Sequence, residues 1–199
     1  MDLFLFFTEL PQPQILNTLD KKLISLSRSF EPIENGRRLW LTHVPDTATK
    51  PLLHPKPFEI RLSTLRLSSA EIEDFKVGLG VTPKRVMICH PPDDSAVSEQ
   101  MMFAIAFEIV TKCNALLRID DKTGLRMFNL IEKGEDEFPS QLLDDYPGSV
   151  YEVAHETCEG DLGVEWFVDS RWLHAWMSRK YQRKSQNSET SRFATLDYL

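Results

Sequence analysis

The chain has 199 residues, 42% of them apolar and 27% charged, which is enough to bury a sizeable core and argues against wholesale disorder. No stretch approaches the roughly 18 consecutive apolar residues of a membrane span, and three widely spaced cysteines, Cys89, Cys113 and Cys158, form no disulfide framework. A reducing, cytoplasmic setting is expected, and a net charge of −7 argues against nucleic acid, whose binders usually carry a basic stripe.

The opening Met1-Asp-Leu-Phe-Leu-Phe-Phe7 reads as a strand, because an aspartate stands where a signal peptide carries basic residues. Residues 13–29 read as an amphipathic helix, with Ile15, Leu19, Leu23 and Leu26 on one face and lysines opposite. Arg38-Leu-Trp-Leu-Thr-His43 reads as a strand. Four prolines between 45 and 57 mark a loop. Phe58–Leu62 alternates as a half-exposed strand, and Ser68 or Ser69 caps a helix running to about Gly78. Arg85-Val-Met-Ile-Cys89 is a buried strand. It leads through His90-Pro-Pro-Asp-Asp-Ser95 into a helix over 95–113 that is apolar all round at Met101–Phe107, so this helix is expected at the centre.

Ala115–Ile119 and Leu125–Phe128 read as strands joined by a turn over 120–124, and the acidic stretch 132–147 as a loop. Ser149–Val153 and Gly163–Val168 alternate as strands with a hairpin-like connection at 158–161. Asp169 or Ser170 then caps a last helix over 171–181, with Trp172, Leu173, Trp176 and Met177 as its apolar stripe. From Gln182 the composition turns polar, as in mobile tails. Helices and strands without a βαβ rhythm indicate α+β. The expectation is one domain over 1–181, a mixed or antiparallel sheet packed with three to four helices, followed by a tail over 182–199.

The residue chemistry leaves several readings. His155 and Cys158 have tolerable spacing for a metal. Cys89 and His90, the other pair, would point to opposite faces of one strand, so no metal or other cofactor is expected. The pair Cys158 and His155 could serve a small hydrolase, although no Gly-x-Ser-x-Gly elbow and no phosphate loop accompanies it. Glu108, inside the apolar helix, is either paired with Lys112 one turn on, or buried against Arg85 or Arg118. Trp166, Trp172 and Trp176 read as core. A self-assembly module using the last helix or the tail is a third reading, and the sequence leaves the oligomeric state open.

Three motifs occur in order. They are Pro-Pro-Asp-Asp at 91–94, Tyr146-Pro-Gly-Ser-Val-Tyr-Glu-Val153 leading to His155-Glu-Thr157, and Val168-Asp-Ser-Arg-Trp-Leu-His-Ala-Trp176. Together they resemble a family of small, uncharacterised bacterial proteins of immunity type, encoded beside toxins. The resemblance covers residues 85–181. It implies a cytoplasmic protein that binds and neutralises a partner, and it carries over no catalytic residue.

Charge placement agrees with that implication. From Glu132 to Asp161 there are ten acidic residues and one base, Lys133, so this segment is −9 and the rest of the chain +2. An acidic face of this kind steers a basic partner. Asp144, Asp145, Glu152, Glu156, Glu159 and Asp161 are its expected contacts, and His155 and Cys158 are then incidental. The resulting expectation is a binder of a basic protein toxin, acting by occlusion of the toxin's active site, with neither nucleic acid nor membrane as partner.

Overall fold

Alternation along the central strands decides which side of the sheet each residue faces, and the rest of the fold follows from it. The computed structural model describes residues 2–42, 55–119, 146–156 and 161–179. In chain order these form β1 (Leu3–Phe7), α1 (Pro13–Ser25), β2 (Ser27–Ile33), β3 (Gly36–Leu41), β4 (Pro57–Thr64), α2 (Ser69–Leu79), β5 (Arg85–His90), α3 (Ala96–Cys113), β6 (Leu116–Ile119), β7 (Val150–Glu156) and β8 (Leu162–Val168). A last helix, α4, covers residues 170–179. The strands make one sheet in the order β2-β3-β4-β5-β1-β6-β8-β7, and every pairing is antiparallel. The architecture is a single α+β domain, and no described helix is long and apolar enough to cross a membrane.

β1 lies in the interior of the sheet, between β5 and β6. Its Leu3, Leu5 and Phe7 enter the main core, together with Met87 and Cys89 of β5 and Leu117 and Ile119 of β6. α3 covers this side and is buried nearly all round: Met101, Phe103, Ile105, Ala106 and Ile109 are closed to solvent. A helix without a polar face needs cover on every side. Here α1 supplies it through Leu19 and Leu23, and α4 through Trp172, Leu173 and Trp176. The rings of Phe103 and Trp176 lie 4.7 Å apart.

Local sequence sets the helix ends. Ser95 caps α3 by accepting from the Ser98 N–H, and Asn114 ends it in the left-handed conformation at φ 50°. Asp93 ties the cap down, accepting from Ser95 and Ser98 and pairing with Lys56 at 2.6 Å. These partners hold its carboxyl far below the usual range, Lys56 contributing most. Asp169 caps α4 through the Trp172 N–H, at 2.9 Å.

The opposite side carries a smaller cluster of Phe6, Phe75, Val86, Val153 and Phe167, with Phe75 coming from α2. α2 lies so close to β7 that a Cβ at Gly78 would stand 2.3 Å from the Glu152 carbonyl oxygen. Only glycine permits that approach. Towards β2, among the described residues, this side is polar. An ion-pair ladder runs across the strands instead: Arg38 bonds Glu59 at 2.6 Å and Glu31 at 3.2 Å, and Arg61 bonds Glu59 at 2.6 Å. His90 and Asp2 extend it, with Nδ1 2.7 Å from the carboxylate.

One expectation needs correction. The first helix, expected over 13–29, stops at Ser25, and residues 27–33 form the edge strand β2. Of the two readings of Glu108, the pair with Lys112 is present, at 3.8 Å, and Lys22 of α1 adds a closer contact at 3.0 Å. α1 crosses α3 beside Glu108, so a lysine reaches a carboxylate that is only 11% exposed. Most of the Pro-rich loop (45–54), the strand at 125–128 with its turn, most of the acidic loop 132–147, the 158–160 connection and the tail lie outside the described residues.

Candidate functional site

The six expected contacts divide in two. Asp144, Asp145 and Glu159 lie outside the described residues, as does Cys158, whereas Glu152, Glu156 and Asp161 are all exposed. Glu152 and Glu156 are four residues apart on β7 and therefore point to the same side, about 13 Å from each other at the rise of a strand. Asp161 immediately precedes β8, whose Leu162 pairs with Glu156. The pairing brings the end of one acidic strand beside the start of the next.

Beside this edge, on the α2 side of the sheet, lies a cleft of about 710 Å³. Its floor is apolar, formed by Phe6, Phe75 and Val153, and its rim carries Glu71, Asp74, Glu156 and Glu165 with Arg118 and His155. Three elements bring the carboxylates together. Glu71 and Asp74 come from α2, Glu156 from the end of β7 and Glu165 from β8. Four carboxylates against one guanidinium and one imidazole leave the rim acidic.

Each charge is anchored by its local structure. Glu71 is the third residue of α2 and closes its capping box: its carboxylate accepts from the Ser68 backbone N–H at 2.7 Å, while the Ser68 hydroxyl accepts from the Glu71 N–H. The Ser68 N–H, then its hydroxyl, hold the Glu71 carboxyl below its ordinary value, so it stays charged. Arg118 lies 4.3 Å above the centre of the Phe4 ring and donates to Glu165 at 3.2 Å. The electrostatic attraction of the ring face holds the guanidinium over Phe4.

The remaining candidates have structural roles. Cys89 is buried in the core, where burial pushes its thiol up to about 12, and burial raises Cys113 as well. A nucleophilic cysteine requires the opposite shift. Cys89 faces the core while His90 faces Asp2 on the other side of the sheet, so this pair points apart. Among the described residues no three histidine, cysteine, aspartate or glutamate side chains gather as metal ligands. His155 lines the cleft, where the described hydroxyl, Ser68, is engaged as a helix cap. These cleft residues offer negative charge above an apolar floor, which suits holding a cationic side chain better than bond cleavage.

Sequence reasoning missed Glu71, Asp74 and Glu165. The run Glu71-Ile-Glu-Asp74 was a signal of charge, but nothing in it says that α2 crosses to β7. The chain matches no family model, no curated protein and no solved structure. The resemblance to immunity-type proteins therefore stands on its three motifs alone.

Proposed function

We propose that this chain is a binding protein that neutralises a cognate basic partner, a bacterial toxin of the kind its motifs imply, by covering the partner's active site with the acidic edge at β7. The observation that carries the reading is the convergence of Glu71, Asp74, Glu156 and Glu165 on one cleft, with exposed Asp161 at the start of the strand that pairs with Glu156. A basic side chain of the partner seats over the apolar floor, and the surrounding carboxylates steer the approach. Such steering raises association rates by about 10- to 1,000-fold and weakens with salt. The proposed setting is the cytoplasm, where Cys89 and Cys113 stay reduced. Inhibition by occlusion needs no chemistry from the inhibitor.

The test is affinity capture from the native lysate at low and high salt, with wild type and with Glu156→Lys/Asp161→Lys. One basic protein held by the wild type near equal stoichiometry, depleted by salt and lost from the variant, is the expected result. Both sites are exposed, so the melting temperature should hardly change. Equal recovery by both proteins would contradict this surface. Recovery of nothing would contradict the reading as a whole.

A further inference from the structure

Among the described residues the sheet ends in β2 on one side and in β7 on the other, and the two edges are built differently. β2 contains Pro32, and its register with β3 shifts between Ser27 and Phe30. A proline and a break in register both discourage a further strand from pairing. β7 has neither. It pairs with β8 in one unbroken register, from Val150 opposite Val168 to Glu156 opposite Leu162.

One hydrogen bond fixes which backbone groups of β7 point outward. The Asp169 N–H donates to the Ser149 carbonyl at 3.2 Å, and these residues continue the register of Val150 and Val168. In an antiparallel pair, hydrogen-bonded and non-hydrogen-bonded positions alternate. Tyr151, Val153 and His155 therefore bond to β8, whereas the N–H and C=O groups of Glu152, Ala154 and Glu156 point away from it. The seat of α2 agrees with this. A Cβ at Gly78 would run into the outward Glu152 carbonyl oxygen, so the helix closes the edge at that residue. Ala154 and Glu156 lie past the contact, are both exposed, and border the acidic cleft.

Building on the acidic surface proposed above, we propose that the partner enters as an extended basic segment, adding an antiparallel strand to β7 at Ala154 and Glu156. Main-chain bonds to both N–H and both C=O groups supply the grip, as in other strand additions. Side chains of the added strand alternate between faces. One set lies over the cleft towards Glu71 and Asp74, and the other falls on the face that carries Glu152. Basic residues meet carboxylates on either side.

The probe is the capped peptide Arg-Val-Arg-Val-Arg, titrated against the full chain and followed by amide NMR. Each outward N–H gains a bond in the complex, so exchange of the Ala154 and Glu156 amides should slow about tenfold or more. The same peptide with every backbone nitrogen methylated keeps its charge but cannot donate, and should bind about tenfold more weakly. Ala154→Pro removes an outward N–H that β8 does not use, and should weaken the unmethylated peptide several-fold. If that variant disturbs β7, the methylated peptide still decides. Salt-sensitive binding that ignores methylation and leaves both amides exchanging freely would overturn strand addition while leaving the acidic surface in place. No saturable binding of the peptide would also overturn it; the capture experiment above decides the acidic surface independently.

Discussion

The two faces of the sheet are built from alternate residues of the same strands and end in different chemistry. Leu3, Leu5 and Phe7 of β1 meet α3 in a core closed by three helices, while Phe4 and Phe6 of the same strand face Arg118. On the first face the apolar surface is continuous and two of the cysteines are inert. On the second, among the described residues, α2 covers part of the sheet, with ion pairs towards β2 and an acidic cleft towards β7. One face carries the stability, which frees the other to carry charge.

The largest expected effect comes from opening the closed face. Phe103→Ala removes a fully buried ring packed on Trp176 and should cost about 3–5 kcal/mol in urea unfolding. Arg38→Ala, at the centre of the exposed ladder, should move the urea midpoint little, because exposed ion pairs contribute weakly. Similar losses from the two would erase the distinction between the faces.

Gly78→Ala tests how α2 is seated. In an open helix this change gains about 1 kcal/mol. Here the new Cβ runs into the backbone of β7, so a loss of about 1–3 kcal/mol is expected. A gain would mean that α2 does not press on β7. Ser68→Ala is smaller, about 1 kcal/mol for the lost cap, and has a second readout. The Glu71 carboxyl, losing one of its partners, should titrate closer to its ordinary value by carboxyl NMR; an unmoved Glu71 would separate the cap from the cleft.

Acid should find the charged face first. Glu59 is held below its ordinary value by Arg61 and then Arg38, Glu71 by Ser68, and Asp93 by Lys56 and its serines. Their folded values are lowered, so as pH falls the unfolded chain takes up protons first. The stability they contribute is complete above the ordinary carboxylate value of about 4 and is lost as pH drops through their folded values. Urea midpoints should hold from pH 7 to 5 and fall below about 4, with Glu59→Gln giving a shallower fall. Parallel curves for the variant and wild type would contradict that role for Glu59.

Periodicity made most of the closed face legible. The all-apolar run at Met101–Phe107 placed α3 at the centre, and the stripe of Trp172, Leu173 and Trp176 marked α4. Where it failed, the cause was a feature without a period. Ser27-Arg-Ser-Phe-Glu-Pro-Ile33 alternates poorly and contains Pro32, tolerable because β2 is an edge strand, paired among the described residues with β3. The site was half legible: Glu156 and Asp161 follow from the charge run, whereas Glu152, read from the same run, faces the other side of the sheet from Val153 and does not line the cleft. Glu71, Asp74 and Glu165 depend on which way a helix crosses the sheet, and the pattern within that helix does not encode it. The same holds for Glu108, whose nearer partner, Lys22, arrives from another helix.

The most direct test of the central claim is the association rate constant with the captured basic partner, measured against ionic strength for wild type and for Glu156→Lys/Asp161→Lys. The account predicts a wild-type rate that falls steeply with salt, and a variant that associates at least tenfold more slowly at low salt and converges on the wild type at high salt. Equal rates for the two proteins at every ionic strength would contradict it.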